Sequence, residues 1–249
     1  MICTYIDDVF LNYYKYGNGK ETILILPGWG DTRDTFEYLI NNLSKKYTIY
    51  IIDYPGFGKS SFPDRDLTIY DYVCLISKFV LNIGINNFNI ICHSFGCRIA
   101  SIISTYDINI NKIIIIGGAG IRRKSVKRFF YKFKYKFLKK LAIFHKSKNL
   151  YLNKLSNRYG SSDYNNLPVC MKKTFCNVVN EDLRKYIKNI KVPTLLIWGE
   201  DDLSTPLCDG ILMNKLIKDS GLVIIKNGSH FVYLEYPFYI LNIINSFLD

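Results

Sequence analysis

Three residues set far apart in this chain, Ser94, Asp202 and His230, are of the types that together make a serine nucleophilic. A serine hydroxyl attacks a carbonyl poorly unless a base takes its proton. An imidazole serves as that base near neutral pH, and a buried carboxylate fixes its tautomer and stabilises the imidazolium that forms. Ser94 stands in Cys92-His93-Ser94-Phe95-Gly96, after the apolar pair Ile90-Ile91 and before the helix-like run Cys97 to Ile103. Strand, tight turn and helix are the context of a nucleophile elbow, usually written Gly-x-Ser-x-Gly. Cys92 occupies the first glycine position here. On its own, Ser-Phe-Gly is ordinary strand-to-helix punctuation, so the surrounding elements must decide.

Those elements alternate. Val9 to Tyr16 reads as a first strand, and the wholly apolar Thr22 to Leu26 suits a strand buried on both faces. It runs into Pro27-Gly28-Trp29-Gly30, after which Asp31-Thr32-Arg33-Asp34 opens a helix through about Leu43. A strand over Tyr47 to Asp53 leads to Tyr54-Pro55-Gly56-Phe57-Gly58-Lys59-Ser60. That loop lacks the spacing of a phosphate-binding loop or a dinucleotide fingerprint and reads as a support beneath a site. Helical periodicity from Thr68 to Leu81 precedes a strand over Phe88 to Cys92, and another strand spans Lys112 to Ile116. After a break the pattern resumes with Thr194 to Trp198, a helix from Leu207 to Lys218, a strand Leu222 to Lys226 and a helix Pro237 to Leu248. Strands alternating with helices predict an α/β fold with a mainly parallel sheet flanked by helices. The carboxyl ends of parallel strands share one edge, which is where such sheets carry their sites. Ser94, Asp202 and His230 each follow a predicted strand.

The break covers residues 121–180, and it is charged unlike the rest. Ile108 to Ser162 holds 15 Lys and Arg and no Asp or Glu, whereas the remainder of this +12 chain has 18 basic and 21 acidic residues. Phe130, Phe133, Phe137, Leu141 and Phe144 fall on one helical face, with Lys124, Arg128, Lys132, Lys136, Lys139 and Lys140 on the others. This predicts a helical cap over the strand ends, dividing the chain into a core of residues 1–120 and 181–249 and a cap of residues 121–180. A basic amphipathic face also attracts anionic membranes or acidic substrates. Interleaved aromatics would suit single-stranded nucleic acid, but no nucleic-acid fold surrounds them and no such partner is expected. The start, Met1 to Asp8, has neither a basic nor a long apolar stretch, and the seven cysteines include no Cys-x-x-Cys pair. Both features predict a cytoplasmic protein with reduced thiols.

The order nucleophile, acid, histidine and five blocks of sequence are similar to the α/β-hydrolase fold family, of the cap-bearing serine esterase and C–C hydrolase type. The blocks are Pro27-Gly28-Trp29-Gly30, Asp53 to Ser60, Cys92 to Gly96, Trp198 to Asp202 with Pro206, and Gly228-Ser229-His230-Phe231 with Glu235 and Pro237. The resemblance implies a nucleophile Ser94, a general base His230 and an orienting acid Asp202. The family's spacing from Gly199 selects Asp202 over Asp201. It also implies that the backbone N–H groups of Trp29 and Phe95 receive the oxyanion and that these two residues contact substrate. Pro27 replaces the family's histidine, which bears on loop orientation, and Cys92 adds bulk at the elbow. His93 is expected to pack under the elbow, and His145 falls in the basic cap. The implied activity is hydrolysis of small to medium carboxylic esters through an acyl-enzyme, without metal or cofactor. A C–C bond hydrolase with the same triad and a non-catalytic ligand-binding relative are the alternatives.

Overall fold

Eight strands of five to eight residues, most of them rich in apolar β-branched side chains, pair into one sheet with a hydrophobic layer on either face. The computed structural model describes residues 2–123 and 162–249. In chain order the strands are β1 Ile2–Ile6, β2 Val9–Tyr16, β3 Thr22–Leu26, β4 Thr48–Ile52, β5 Phe88–His93, β6 Ile110–Ile116, β7 Thr194–Gly199 and β8 Ser220–Ile225. They lie side by side as β1-β2-β4-β3-β5-β6-β7-β8. β2 is antiparallel to both β1 and β4, and every neighbouring pair from β4 to β8 is parallel. The described helices are α1 Glu37–Leu43, α2 Ile69–Asn82, α3 Phe95–Ile103, α4 Ser162–Asn166, α5 Val169–Val179, α6 Arg184–Ile187, α7 Leu207–Leu216, α8 Val232–Glu235 and α9 Pro237–Leu248. A short 3-10 turn, Arg33–Phe36, leads into α1.

Strand alternation sorts the core into its two layers. Leu24, Ile90, Cys92, Ile113 and Ile115 face the layer built with α2 and α3, through Ile76, Phe79, Ile99 and Ile102. Ile23, Ile25, Ile91, Ile114 and Ile116 face the opposite layer, with Leu39 and Ile40 of α1 and Ile240 and Ile244 of α9. At the start of α2, Thr68 and Asp71 satisfy each other's backbone N–H groups as a capping box.

The sequence reading missed β1. Asp7 and Asp8 both take positive φ, 46° and 64°, and so close a two-residue hairpin onto β2. Such a turn favours Asn-Gly or Asp-Gly, and Asp-Asp is a weak sign of it. The helix expected over about residues 124–144, with His145 beyond it, lies outside the described residues. Among the described residues, no helix is long and apolar enough to cross a membrane.

The crossing of α3 over β3 is the tightest contact near the site. A Cβ on Gly96 would lie 2.0 Å from the carbonyl oxygen of Leu26 and 2.8 Å from that of Pro27. Both atoms are backbone, so neither yields by rotating a side chain. Gly96→Ala is therefore expected to destabilise the protein by about 1–3 kcal/mol, as overpacking typically does, read as a lower denaturation midpoint at unchanged slope.

Candidate active site

Ser94 sits at the carboxyl end of β5, where the chain turns into α3, with φ 45° and ψ −107°. An L-residue adopts this conformation at a cost of about 1–3 kcal/mol, and only where surrounding bonds enforce it. Here the Ser94 N–H donates to the Ile116 carbonyl at 3.1 Å. The Ser94 carbonyl in turn accepts from Cys97 N–H at 3.1 Å and Ala119 N–H at 3.0 Å. Cys92, two residues earlier, is fully buried, and its thiol lies 3.5 Å from the Ile114 carbonyl that accepts from it. Burial pushes its ionisation well above the usual thiol range. The bulk at the glycine position is thus taken up by the core as a neutral packing group.

Two neighbouring strand ends bring up the Asp202 carboxylate and the His230 imidazole. β7 ends at Gly199 and turns so that Asp202 is buried while Asp201 stays exposed. Asp202 Oδ2 lies 2.8 Å from His230 Nδ1, on the loop after β8. The same oxygen accepts from the Thr205 hydroxyl at 2.8 Å, and Oδ1 accepts from the N–H groups of Ser204 and Thr205, both at 2.8 Å. Burial, the largest influence, pushes the Asp202 carboxyl up. The hydrogen bond and charge of His230, with the Thr205 N–H and hydroxyl, outweigh it and hold the carboxyl below the ordinary range. With a carboxylate at Nδ1, that nitrogen carries the proton and leaves the Nε2 lone pair for a reacting group. Ser94 and His230 line the same cavity. Among the described residues no hydrogen bond joins them, a looseness common at such sites before substrate binds.

Gly117, at the end of β6, makes room for this pair. A Cβ there would lie 3.2 Å from both Asp202 Oδ2 and His230 Nδ1, and its φ of +51° disfavours any side chain. Gly117→Ala is expected to push the imidazole out of line and lower kcat by about 10–100-fold, since misplacement near 1 Å costs on this order. The comparison is with wild-type kcat on one ester at saturating concentration.

The loop after β3 is clasped to the elbow. His93, 1% exposed, has Nδ1 2.8 Å from Asp31 Oδ2 and Nε2 3.1 Å from the His230 carbonyl oxygen. Asp31 Oδ2 also accepts from the Gly28 N–H at 3.1 Å. His93 therefore packs under the elbow as expected and in addition joins three loops. The Trp29 N–H makes no hydrogen bond among the described residues, and the Phe95 N–H opens α3, where the first N–H groups have no intrahelical acceptor. The Trp29 ring meets Phe57, Phe95 and Phe175 edge-on, with centroids 4.8, 5.0 and 5.3 Å away.

These groups surround a cavity of about 360 Å³ whose lining includes Trp29, Ser94, Phe95, Phe175 and His230. Phe175 and Val179 of α5 form part of its wall. Among the described residues no three His, Cys, Asp or Glu side chains are grouped as metal ligands would be. Sequence reasoning missed Asp31, Gly117, Phe175 and Thr205. Only Thr205 carried a local signal, lying three residues after Asp202 where a side chain can return to the carboxylate.

A family model described as the alpha/beta hydrolase fold matches residues 21–237. The chain is 27% identical to a pimeloyl-[acyl-carrier protein] methyl ester esterase of Wigglesworthia glossinidia brevipalpis, over 93% of this chain and 95% of that one. It is 23% identical to the monoacylglycerol lipase ABHD6 of Rattus norvegicus, over 88% of this chain and 72% of that one. Among solved structures, a meta-cleavage product hydrolase from Pseudomonas fluorescens IP01 superposes with a TM-score of 0.72 at 21% identity. That match spans 97% of this chain and 94% of the other.

Proposed function

The chain belongs to the α/β-hydrolase fold family, and from that membership we propose that this hydrolase cleaves small to medium carboxylic esters with Ser94, His230 and Asp202. The observation that carries the reading is the buried Asp202–His230 bond at the same sheet edge as the strained Ser94. Ser94 Oγ attacks the ester carbonyl as His230 Nε2 takes its proton. The developing oxyanion is received by the N–H groups of Trp29 and Phe95, each such donor typically contributing ~3–4 kcal/mol. The intermediate collapses, His230 returns the proton to the departing alcohol, and the acyl group remains on Ser94. Water, deprotonated by His230, then releases the acid by the same steps.

The resemblance to an esterase and a lipase supports ester chemistry, and the cavity volume lies within the usual range for small-molecule sites. We read α5 as part of a lid over the strand ends, because it supplies Phe175 and Val179 to the cavity wall. The aromatic box beside the Trp29 ring suits an acyl chain. All seven cysteines are unpaired, which fits a reducing compartment.

A p-nitrophenyl ester series from acetate to octanoate tests this proposal. Expected are turnover that peaks at short to medium chains and its loss in Ser94→Ala. Wild-type protein inactive on the whole series would overturn it in favour of a C–C hydrolase or a binding protein. Turnover of a β-diketone-type substrate separates those two.

A further inference from the structure

His93 directly precedes the nucleophile, and both of its ring nitrogens are engaged. Nε2 lies 3.1 Å from the His230 carbonyl oxygen, which can only accept, so Nε2 carries a proton. Nδ1 lies 2.8 Å from Asp31 Oδ2, an oxygen that also accepts from the Gly28 N–H at 3.1 Å. A neutral imidazole has a single N–H, and two facing lone pairs repel at so short a distance. A second proton therefore sits between Nδ1 and Oδ2, and the pair shares it without net charge.

This pair is packed against both parts of the site. The His93 ring lies beside the rings of His230 and Tyr233, with centroids 4.7 and 4.9 Å away. A Cβ on Gly28 would collide with Asp31 Oδ2 and lie 2.7 Å from His93 Nδ1, so the loop after β3 rests directly on the pair. Asp31 grips that loop at two points. Its carboxylate accepts from the Gly28 N–H, and its own N–H donates to the Gly28 carbonyl oxygen at 3.2 Å. That carbonyl belongs to the same planar peptide unit as the Trp29 N–H, so fixing one end of the plane aims the other.

We propose that Asp31 and His93 are positioning residues for the hydrolysis, a proton-sharing clasp that aims the Trp29 N–H at the oxyanion and keeps it in register with the His230 loop. The inference rests on the ester-hydrolase reading for its chemistry and goes beyond it in assigning the residues that hold donor and base together. Their effect passes through Trp29 and His230. Because the oxyanion exists only on the way to product, the clasp should govern kcat and leave KM nearly unchanged.

The test compares Asp31→Ala with wild type on p-nitrophenyl butanoate, with kcat expressed per site that a fluorophosphonate labels to completion. The expected result is a kcat per labelled site at least about tenfold lower, as loss or misdirection of an oxyanion donor brings, with KM within about threefold. Asp31→Asn keeps an oxygen for the Gly28 N–H and should have a kcat at least about threefold above that of Asp31→Ala. A fall in labelled fraction alone, a change confined to KM, or Asp31→Asn no faster than Asp31→Ala would overturn the proposal. Proton NMR examines the clasp apart from activity. Wild type should show a downfield imidazole proton that both His93→Gln and Asp31→Asn remove, and Asp31→Ala should move the Trp29 amide resonance. Where wild type turns over no ester and takes no label, these NMR changes uphold the clasp while the hydrolase reading fails. A downfield proton missing from wild type or persisting in Asp31→Asn, or an unmoved Trp29 amide, overturns the clasp itself.

Discussion

Ser94→Ala is expected to lower kcat for ester hydrolysis by about six orders of magnitude, as loss of the nucleophile does where serine, histidine and acid act as a unit. Alanine removes only the hydroxyl oxygen. The backbone bonds that enforce the strained turn, from Ile116, Cys97 and Ala119, involve main-chain atoms and persist. The fold should therefore survive, with a thermal midpoint close to wild type and substrate binding retained. Residual activity above water would come from the N–H groups of Trp29 and Phe95 and from binding alone. Single-turnover kinetics with a chromogenic ester separates the two forms, because only the wild type should release a burst of alcohol. An activity reduced less than tenfold would remove Ser94 from the mechanism.

Asp202→Asn is expected to lower kcat by about 10⁴-fold, since the amide no longer fixes His230 in the tautomer that leaves Nε2 free. The carboxylate receives four donors in all, from Ser204 N–H, Thr205 N–H, Thr205 hydroxyl and His230 Nδ1. Asparagine offers one acceptor oxygen and sets an NH₂ against donors at the other position. The variant should lose stability by about 1–3 kcal/mol, the typical penalty for a buried polar group left unmatched. The pH dependence follows from the direction of the shift. Asp202 ionises below its ordinary value in the folded protein, so its contribution is fully present above about pH 4. It is lost as pH falls through the depressed folded value. The gap in thermal midpoint between wild type and variant should therefore be widest near neutral pH and narrow on acidification. A gap that widened in acid would contradict the assignment.

The elements that position these residues were legible because their signals are local. β2, β3 and α9 coincide with runs readable from apolar pattern and flanking glycine or proline. Ser94, Asp202 and His230 could be picked out because each follows such a run in the order the family uses. The geometry around them was not legible, because it depends on contacts across long stretches of chain. Gly117 is one glycine among several after β6 until Asp202 and His230 are folded against it. Asp31 and His93 lie 62 residues apart, and neither position signals the other. Asp31 read instead as part of a helix start, where the structure has the turn before the 3-10 segment. Phe175 is one apolar residue among several in α5, and only the crossing of α5 near Trp29 brings it to the site. Arg98 is the sharpest case. Its burial contradicts the usual surface preference of arginine, and the carbonyl groups of Val179 and Glu181, with the charges of Glu181 and Asp182, make that burial tolerable.

The central claim, that Ser94 is a nucleophile activated by His230, is tested most directly by reaction with a fluorophosphonate followed by peptide mass spectrometry. The account predicts one adduct per chain, carried by the peptide that contains Ser94, and its near-complete loss in His230→Ala at the same exposure. No adduct on the wild-type protein, an adduct on another residue, or equal labelling of Ser94 in His230→Ala would contradict it.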